Sequence, residues 1–217
     1  SIPVAPFADR ADDLESVLIT PNSSVGIGFI AWEETAEWSI NFRSPEVQVI
    51  LGTLYYAGED VPPNDEAALK WLRRGAEQGN VDALVILAAM YKDGRGVARD
   101  EEEAARLLRL AAEKGHDNAQ NLLGVCYASG LGVQANMSEA ARWFRAAAEQ
   151  GHARAQYNLA GMYEKGRGVP QDPGEAVRWY RSAAEQGVAA AQYSLGYAYL
   201  RGLGVEPDLA QARYWWH

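Results

Sequence analysis

Shifting the chain by 36 residues against itself superposes Leu51, Leu87, Leu123, Leu159 and Leu195. The same shift aligns Tyr55, Tyr91, Tyr127, Tyr163 and Tyr199, then Val61, Val97, Val133, Val169 and Val205, then Ala68, Ala104, Ala140, Ala176 and Ala212. Gly79, Gly115, Gly151 and Gly187 close the units, which run 48–83, 84–119, 120–155, 156–191 and a shortened 192–217. A fixed period of roughly 20–50 residues marks stacked supersecondary units, each burying its apolar face only against its neighbours. That one regularity excludes most other architectures.

Each unit reads as two helices. Helix A, for example Ala119 to Ser129, stops at Gly58, Gly94, Gly130, Gly166 or Gly202, residues that adopt the left-handed conformation ending a helix without a Cβ clash. Ser44-Pro45 opens the first one, with Ser as the expected N-cap and Pro at the first helical position. Helix B is announced by a capping box: Asp100 with Glu103, Asn136 with Glu139, Asp172 with Glu175, and Asp208 with Gln211. Within helix B, Ala68 and its equivalents are followed three residues later by Trp71, Leu107, Trp143, Trp179 and Trp215. Small and large residues alternating on one face let neighbouring helices approach while the aromatics fill the gaps. Cys126 takes the place of Leu54, Met90, Met162 and Ala198 and reads as a small core residue.

The pattern A-Q-x-x-L-G-x-x-Y-x-x-G-x-G-V-x-x-D-x-x-x-A-x-x-W-x-x-x-A-A-E-x-G resembles the Sel1-like repeat family, a relative of the tetratricopeptide repeat, over residues 48–217. The resemblance implies an all-α fold, a right-handed α/α superhelix of helix-turn-helix repeats. It also implies a non-enzymatic protein-interaction module, a scaffold or adaptor of bacterial envelope, secretion or signalling systems. Two alternatives come with it: a dedicated inhibitor, such as the immunity protein of a secreted toxin, and a β-lactam-binding or hydrolysing enzyme. Asp60 stands where the other units have Gly96, Gly132, Gly168 and Gly204, so the first inter-helix turn is expected to differ in shape.

Residues 1–45 lie outside the pattern and are read as a separate segment preceding the array at 46–217. A short helix is expected over 8–19, with Leu14, Val17 and Leu18 on one side. Alternation in VGIGFIAW and again through Trp38, Ile40 and Phe42 predicts a β-hairpin leaning on the first repeat. This segment carries seven acids against Arg10 and Arg43, and the whole chain has a net charge of −9. No basic stripe suits nucleic acid, so the expected partner is another protein with a basic or apolar surface. No apolar run reaches the ~18 residues of a membrane span. Ser1 points to a processed or trimmed form, in the periplasm or envelope or in the cytoplasm. At the other end Trp215 and Trp216 have no following unit to cover them, so further chain or a partner is expected there.

A search for chemistry returns little. No H-E-x-x-H, C-x-x-C or P-loop occurs, and no serine is followed three places on by lysine. His116 and His152 share one loop slot but stand a repeat apart, too far to converge on a metal. The Gly26 and Gly130 stretches match a loose dinucleotide fingerprint without its strand-turn-helix context. Arg73, Arg109, Arg145 and Arg181 are expected to pair with Glu77, Glu113, Glu149 and Glu185 along a solvated face. No catalytic, cofactor or metal residues are therefore assigned.

One stripe of helix A varies while everything structural repeats. It holds Val85 in the second unit, Asn121 and Val125 in the third, Tyr157 and Glu164 in the fourth, and Tyr193 and Tyr197 in the fifth. These residues share a side by the i, i+4, i+7 rule, and they are more aromatic than an idle solvent face. They are expected to line a partner-binding groove, with Tyr157, Tyr193 and Tyr197 clustered and Glu164 favouring a basic group. The competing expectation is that they touch helix A of the neighbouring unit.

Overall fold

The computed structural model describes residues 17–19, 38–58 and 62–216. Ten helices run through them: α1 (Pro45–Ala57), α2 (Asp65–Glu77), α3 (Val81–Asp93), α4 (Glu101–Glu113), α5 (Asp117–Ser129), α6 (Met137–Glu149), α7 (Ala153–Lys165), α8 (Pro173–Glu185), α9 (Ala189–Arg201) and α10 (Leu209–Trp215). Ahead of them β1 (Val17–Ile19) pairs antiparallel with β2 (Trp38–Ile40), Val17 opposite Ile40. The helix expected over 8–19 is thus corrected at its end, where Val17, Leu18 and Ile19, two of them β-branched, take the extended form. The rest of that helix and the 25–32 strand of the expected hairpin lie outside the described residues. So does the heart of the first inter-helix turn, 59–61.

The chain divides into two compact units, 1–107 and 108–217, the division falling inside α4. In the first, α1 packs on α2 and α2 on α3. Leu51, Ala68, Trp71, Leu72 and Leu87 fill its core, and Phe42 packs on Trp71 with ring centroids 6.2 Å apart. In the second, each helix from α5 to α10 packs on the next. Leu123, Leu159 and Leu195 are sealed inside it beside Ala140, Ala176 and Ala212. Cys126 is half-buried, not fully inside.

Helix A is closed alike in every repeat. Gly94, Gly130, Gly166 and Gly202 stand at φ of 63–75°, and their N–H groups return to Met90, Cys126, Met162 and Ala198. Helix B begins with half a capping box. Asp100, Asn136, Asp172 and Asp208 each accept from the N–H three residues on. The reciprocal half is replaced: the cap's own N–H donates to the carbonyl of Tyr91, Tyr127, Tyr163 or Tyr199, each at 2.9 Å, which folds helix B back against helix A. Glu103, Glu139 and Glu175, released from that duty, pair with Arg106, Arg142 and Arg178. Ser44 departs from its expected role; it caps nothing with its side chain and gives its hydroxyl to Glu46.

Candidate interaction face

Repeat is fixed to repeat by side-chain links at constant offsets. Arg73, Arg109, Arg145 and Arg181 each donate to the tyrosine hydroxyl 18 residues on, at Tyr91, Tyr127, Tyr163 and Tyr199. Each guanidinium also lies about 6 Å from the centroid of that ring. These arginines were expected to serve glutamates on their own helix; the structure gives them the next repeat's helix A instead. Buried Gln120 and Gln156 donate to the carbonyls of Ala112 and Ala148 and accept from Gln150 and Gln186. His116 and His152 share their loop slot because each caps helix A, its Nδ1 accepting from Ala119 or Ala155.

Against this scaffold the varying stripe separates into distinct environments. Val85 is half-buried on α3 of the first unit. In the second unit Asn121 is placed inside the protein, at 5% exposure, where it accepts from Asn158 of the next helix A. It therefore faces the neighbouring repeat and not the groove. Val125 is exposed. Tyr157 is half-buried on the ring of Tyr180, centroids 5.6 Å apart. Glu164 accepts from the Tyr180 hydroxyl at 3.0 Å, and Tyr197 lines the same notch. Tyr193 does not join them. It is 66% exposed and lies beside Trp216, whose indole N–H donates to its carbonyl. Tyr197, Leu200 and Leu203 continue the exposed surface.

Tyr180 is the residue that sequence reading missed. Its position on helix B holds Leu72, Leu108, Phe144 or Trp216 in the other repeats, so a hydroxyl there was the available signal. Burial, then the Glu164 carboxylate, pushes its phenol well above the ordinary range. On another side of α8 a recess of about 710 Å³ is lined by Asp172, Glu175, Arg178, Trp179 and Arg181. Its arginines are already engaged, Arg178 with Glu175 and Arg181 with Tyr199. Among the described residues no group of three or more His, Cys, Asp or Glu comes together as a metal site, and no helix is long and apolar enough to cross a membrane.

The Sel1 repeat matches five times, at 45–80, 81–116, 117–152, 153–188 and 189–217. The chain belongs to the Sel1 repeat family. Sel1 repeats are a protein-interaction fold, generally without catalysis of their own. The chain is similar to a protective antigen of uropathogenic Escherichia coli strains that displays the same fold: 40% identical, TM-score 0.78, covering 80% of this chain and 37% of that one. It therefore spans well under half of that relative's length. A Sel1 repeat protein from Oxalobacter formigenes is 37% identical with a TM-score of 0.76, over 80% of this chain and 71% of that one. A Sel1 repeat protein from Klebsiella pneumoniae subsp. pneumoniae, 22% identical over 80% of this chain and 84% of that one, agrees at a TM-score of 0.51 and shares the fold alone. No curated protein matches the chain.

Proposed function

We propose that this protein is a scaffold or adaptor that holds a partner protein against the helix-A side of its last repeats, on α7, α9 and the turn that follows α9. The observation that carries the reading is the run of large apolar side chains left open there. Tyr193, Tyr197, Leu200 and Leu203 are exposed at 66, 39, 39 and 43%, although the same helix buries Leu195 and Ala198. Contiguous exposed apolar surface on a folded chain marks an interaction site. Tyrosine supplies rigid contact area together with a rim hydroxyl, the make-up of a binding hot spot. Val125 extends this face on α5, whereas Asn121 has been withdrawn from it into the repeat-repeat contact.

The test is binding with and without the two exposed tyrosines. The immobilised chain and its Tyr193→Ala/Tyr197→Ala double variant are offered the same extract of the source cells, and bound proteins are quantified. The variant should keep its helical circular dichroism, since neither ring is buried. It should lose the partner by about a hundredfold, at roughly 2 kcal/mol or less per truncation. Equal recovery by both proteins would move recognition away from this face.

A further inference from the structure

The fourth repeat departs from the others at three places that meet. Helix B carries Tyr180 where the remaining repeats carry Leu72, Leu108, Phe144 and Trp216. Helix A carries Gly161 where they carry Thr53, Ala89, Val125 and Tyr197, and a Cβ built there would stand 3.7 Å from the Tyr180 hydroxyl. The following helix A carries Ser194 where earlier repeats have Ile50, Ile86, Leu122 and Asn158, and Ser194 lines the same notch as Tyr180. A phenylalanine, as at Phe144, would have filled the same core without a hydroxyl. Burying that hydroxyl is unfavourable unless it is paired. Here it is paired outward, with Glu164 at the mouth of a notch.

The notch lies between α7, α8 and α9. Glu164, Tyr180, Ser194 and Tyr197 line it with Ala198 and Leu203, and its volume is about 20 Å³. That is room for one group the size of a water molecule. Its polar inventory is weighted toward acceptors. A carboxylate offers about four lone-pair positions, of which the Tyr180 hydroxyl occupies one; the Tyr180 and Ser194 oxygens contribute further acceptor capacity, while that of Tyr197 already accepts from Arg201 Nε at 3.4 Å. Glu164 takes part in none of the ion pairs among the described residues. An anion is excluded by the carboxylate. A hard divalent cation would want about six oxygen ligands, more than this one carboxylate and its neighbours supply. A guanidinium is a planar fork too broad for the space. A primary ammonium is water-sized and brings three donors and a positive charge.

We infer that the notch receives the ε-ammonium group of a lysine on the partner protein, with the lysine stem lying along Tyr197 and Leu203. This rests on the proposed partner face and names the chemistry that the face selects. The chain's net charge of −9 favours approach by a lysine-bearing surface.

The experiment uses a probe in place of the partner, so the two ideas fail separately. Nα-acetyl-lysine methylamide is titrated into the full, isotopically labelled chain while the amide resonances of Glu164, Ser194 and Tyr197 are followed. The norleucine counterpart keeps the stem without the ammonium, and the arginine counterpart replaces it with a guanidinium. Saturable shifts are expected with the lysine probe in the low millimolar range, about what one desolvated ion pair in a small notch supports. Both counterparts should bind at least tenfold more weakly, and so should the lysine probe to Glu164→Gln, which still accepts the Tyr180 hydrogen bond. The inference is overturned if the lysine and norleucine probes bind the wild-type chain within twofold of one another. It is equally overturned if the lysine probe leaves these amides unmoved up to about 50 mM, far above the expected range. In either case, loss of the partner by the Tyr193→Ala/Tyr197→Ala variant would still uphold the face itself.

Discussion

Gly168 rests directly on the backbone of Met137, so closely that a Cβ there would stand 2.1 Å from the Met137 carbonyl oxygen. Gly96 meets Asp65 and Gly204 meets Pro173 in the same way, each touching the start of the preceding repeat's helix B. The second glycine of these three G-x-G turns is thus a stacking surface as well as a turn residue. In the first repeat the corresponding residue is Asp60.

Gly168→Ala should therefore be far more damaging than Gly166→Ala, although both residues have positive φ, 71° and 63°. At Gly166 the added Cβ meets the Gln171 Cβ at 3.2 Å, a tight contact relieved by a shift of a few tenths of an ångström, so the loss should stay near the left-handed strain of about 1–2 kcal/mol. At Gly168 the obstacle is backbone, and the total should reach about 3 kcal/mol or more. Thermal unfolding of both variants compares them; equal losses would mean the stacking contact carries no weight.

Two helical glycines should respond with opposite signs. A Cβ at Gly124 would lie 2.7 Å from the Phe144 ring, so Gly124→Ala should destabilise by about 1–3 kcal/mol. At Gly161 the Tyr180 oxygen is 3.7 Å away, ordinary contact, so Gly161→Ala should stabilise by about 0.5–1 kcal/mol through helix propensity. Urea titration reads both, and a destabilised Gly161→Ala would show that the notch is tighter than its contacts indicate.

How far the sequence revealed this protein depends on whether a feature repeats. The 36-residue period carried the helices, the closing glycines and the buried Leu123, Leu159 and Leu195, because stacking imposes the same demand on every unit. The links between repeats stayed hidden. Arg145 looks equally suited to Glu149 on its own helix, and only the geometry of the next repeat delivers Tyr163. The stripe was read on helix A alone, so nothing in it showed that Asn121 turns inward to Asn158 or that Tyr180 reaches across from helix B to Glu164.

Removing one hydroxyl isolates the arginine link, because phenylalanine keeps the ring beneath the guanidinium. Tyr163→Phe should lose about 0.5–1.5 kcal/mol, the ordinary net value of a hydrogen bond. Tyr127→Phe and Tyr199→Phe should lose similar amounts, and the three losses should add, since separate sites couple little. Denaturant midpoints unchanged in all three variants would reduce the link to a surface coincidence.

The second repeat suggests its own experiment. It carries Leu84 and Lys114 at the positions held elsewhere by Gln156 and Gln186. Gln156→Leu alone removes the donor to the Ala148 carbonyl and the acceptor of Gln186, and should lose about 1–3 kcal/mol. Adding Gln186→Lys reproduces the second repeat's pair and should recover part of the loss, a coupling that a double-mutant cycle measures. Strict additivity would count against the two positions acting together.

Alkaline pH should weaken the fourth repeat through Tyr180. Burial first, and the Glu164 carboxylate second, raise its phenol above the ordinary value of 10.0. Below that value the group is neutral in both the folded and the unfolded chain, and its contribution is intact. As pH rises past it the unfolded chain releases the proton while the folded chain retains it, so stability falls. Urea midpoints between about pH 8 and 11 should drop less steeply in Tyr180→Phe than in the wild type. Parallel slopes would mean the phenol is not held back.

Fixed offsets between partners also determine which changes in chain length the array can absorb. Excising residues 153–188 would place Tyr199 where Tyr163 now meets Arg145, and Gln192 where Gln156 now reaches Ala148. Like replaces like, and the existing Gln192 bond to Ala184 shows that this residue can make the contact. Excising one residue fewer would set Ala198 against Arg145 and misplace every later link together. Deletions that cut through the helices of 117–217 should thus be tolerated in whole multiples of 36 residues and rejected between them, so that the number of repeats in this protein would change by recombination and not by drift.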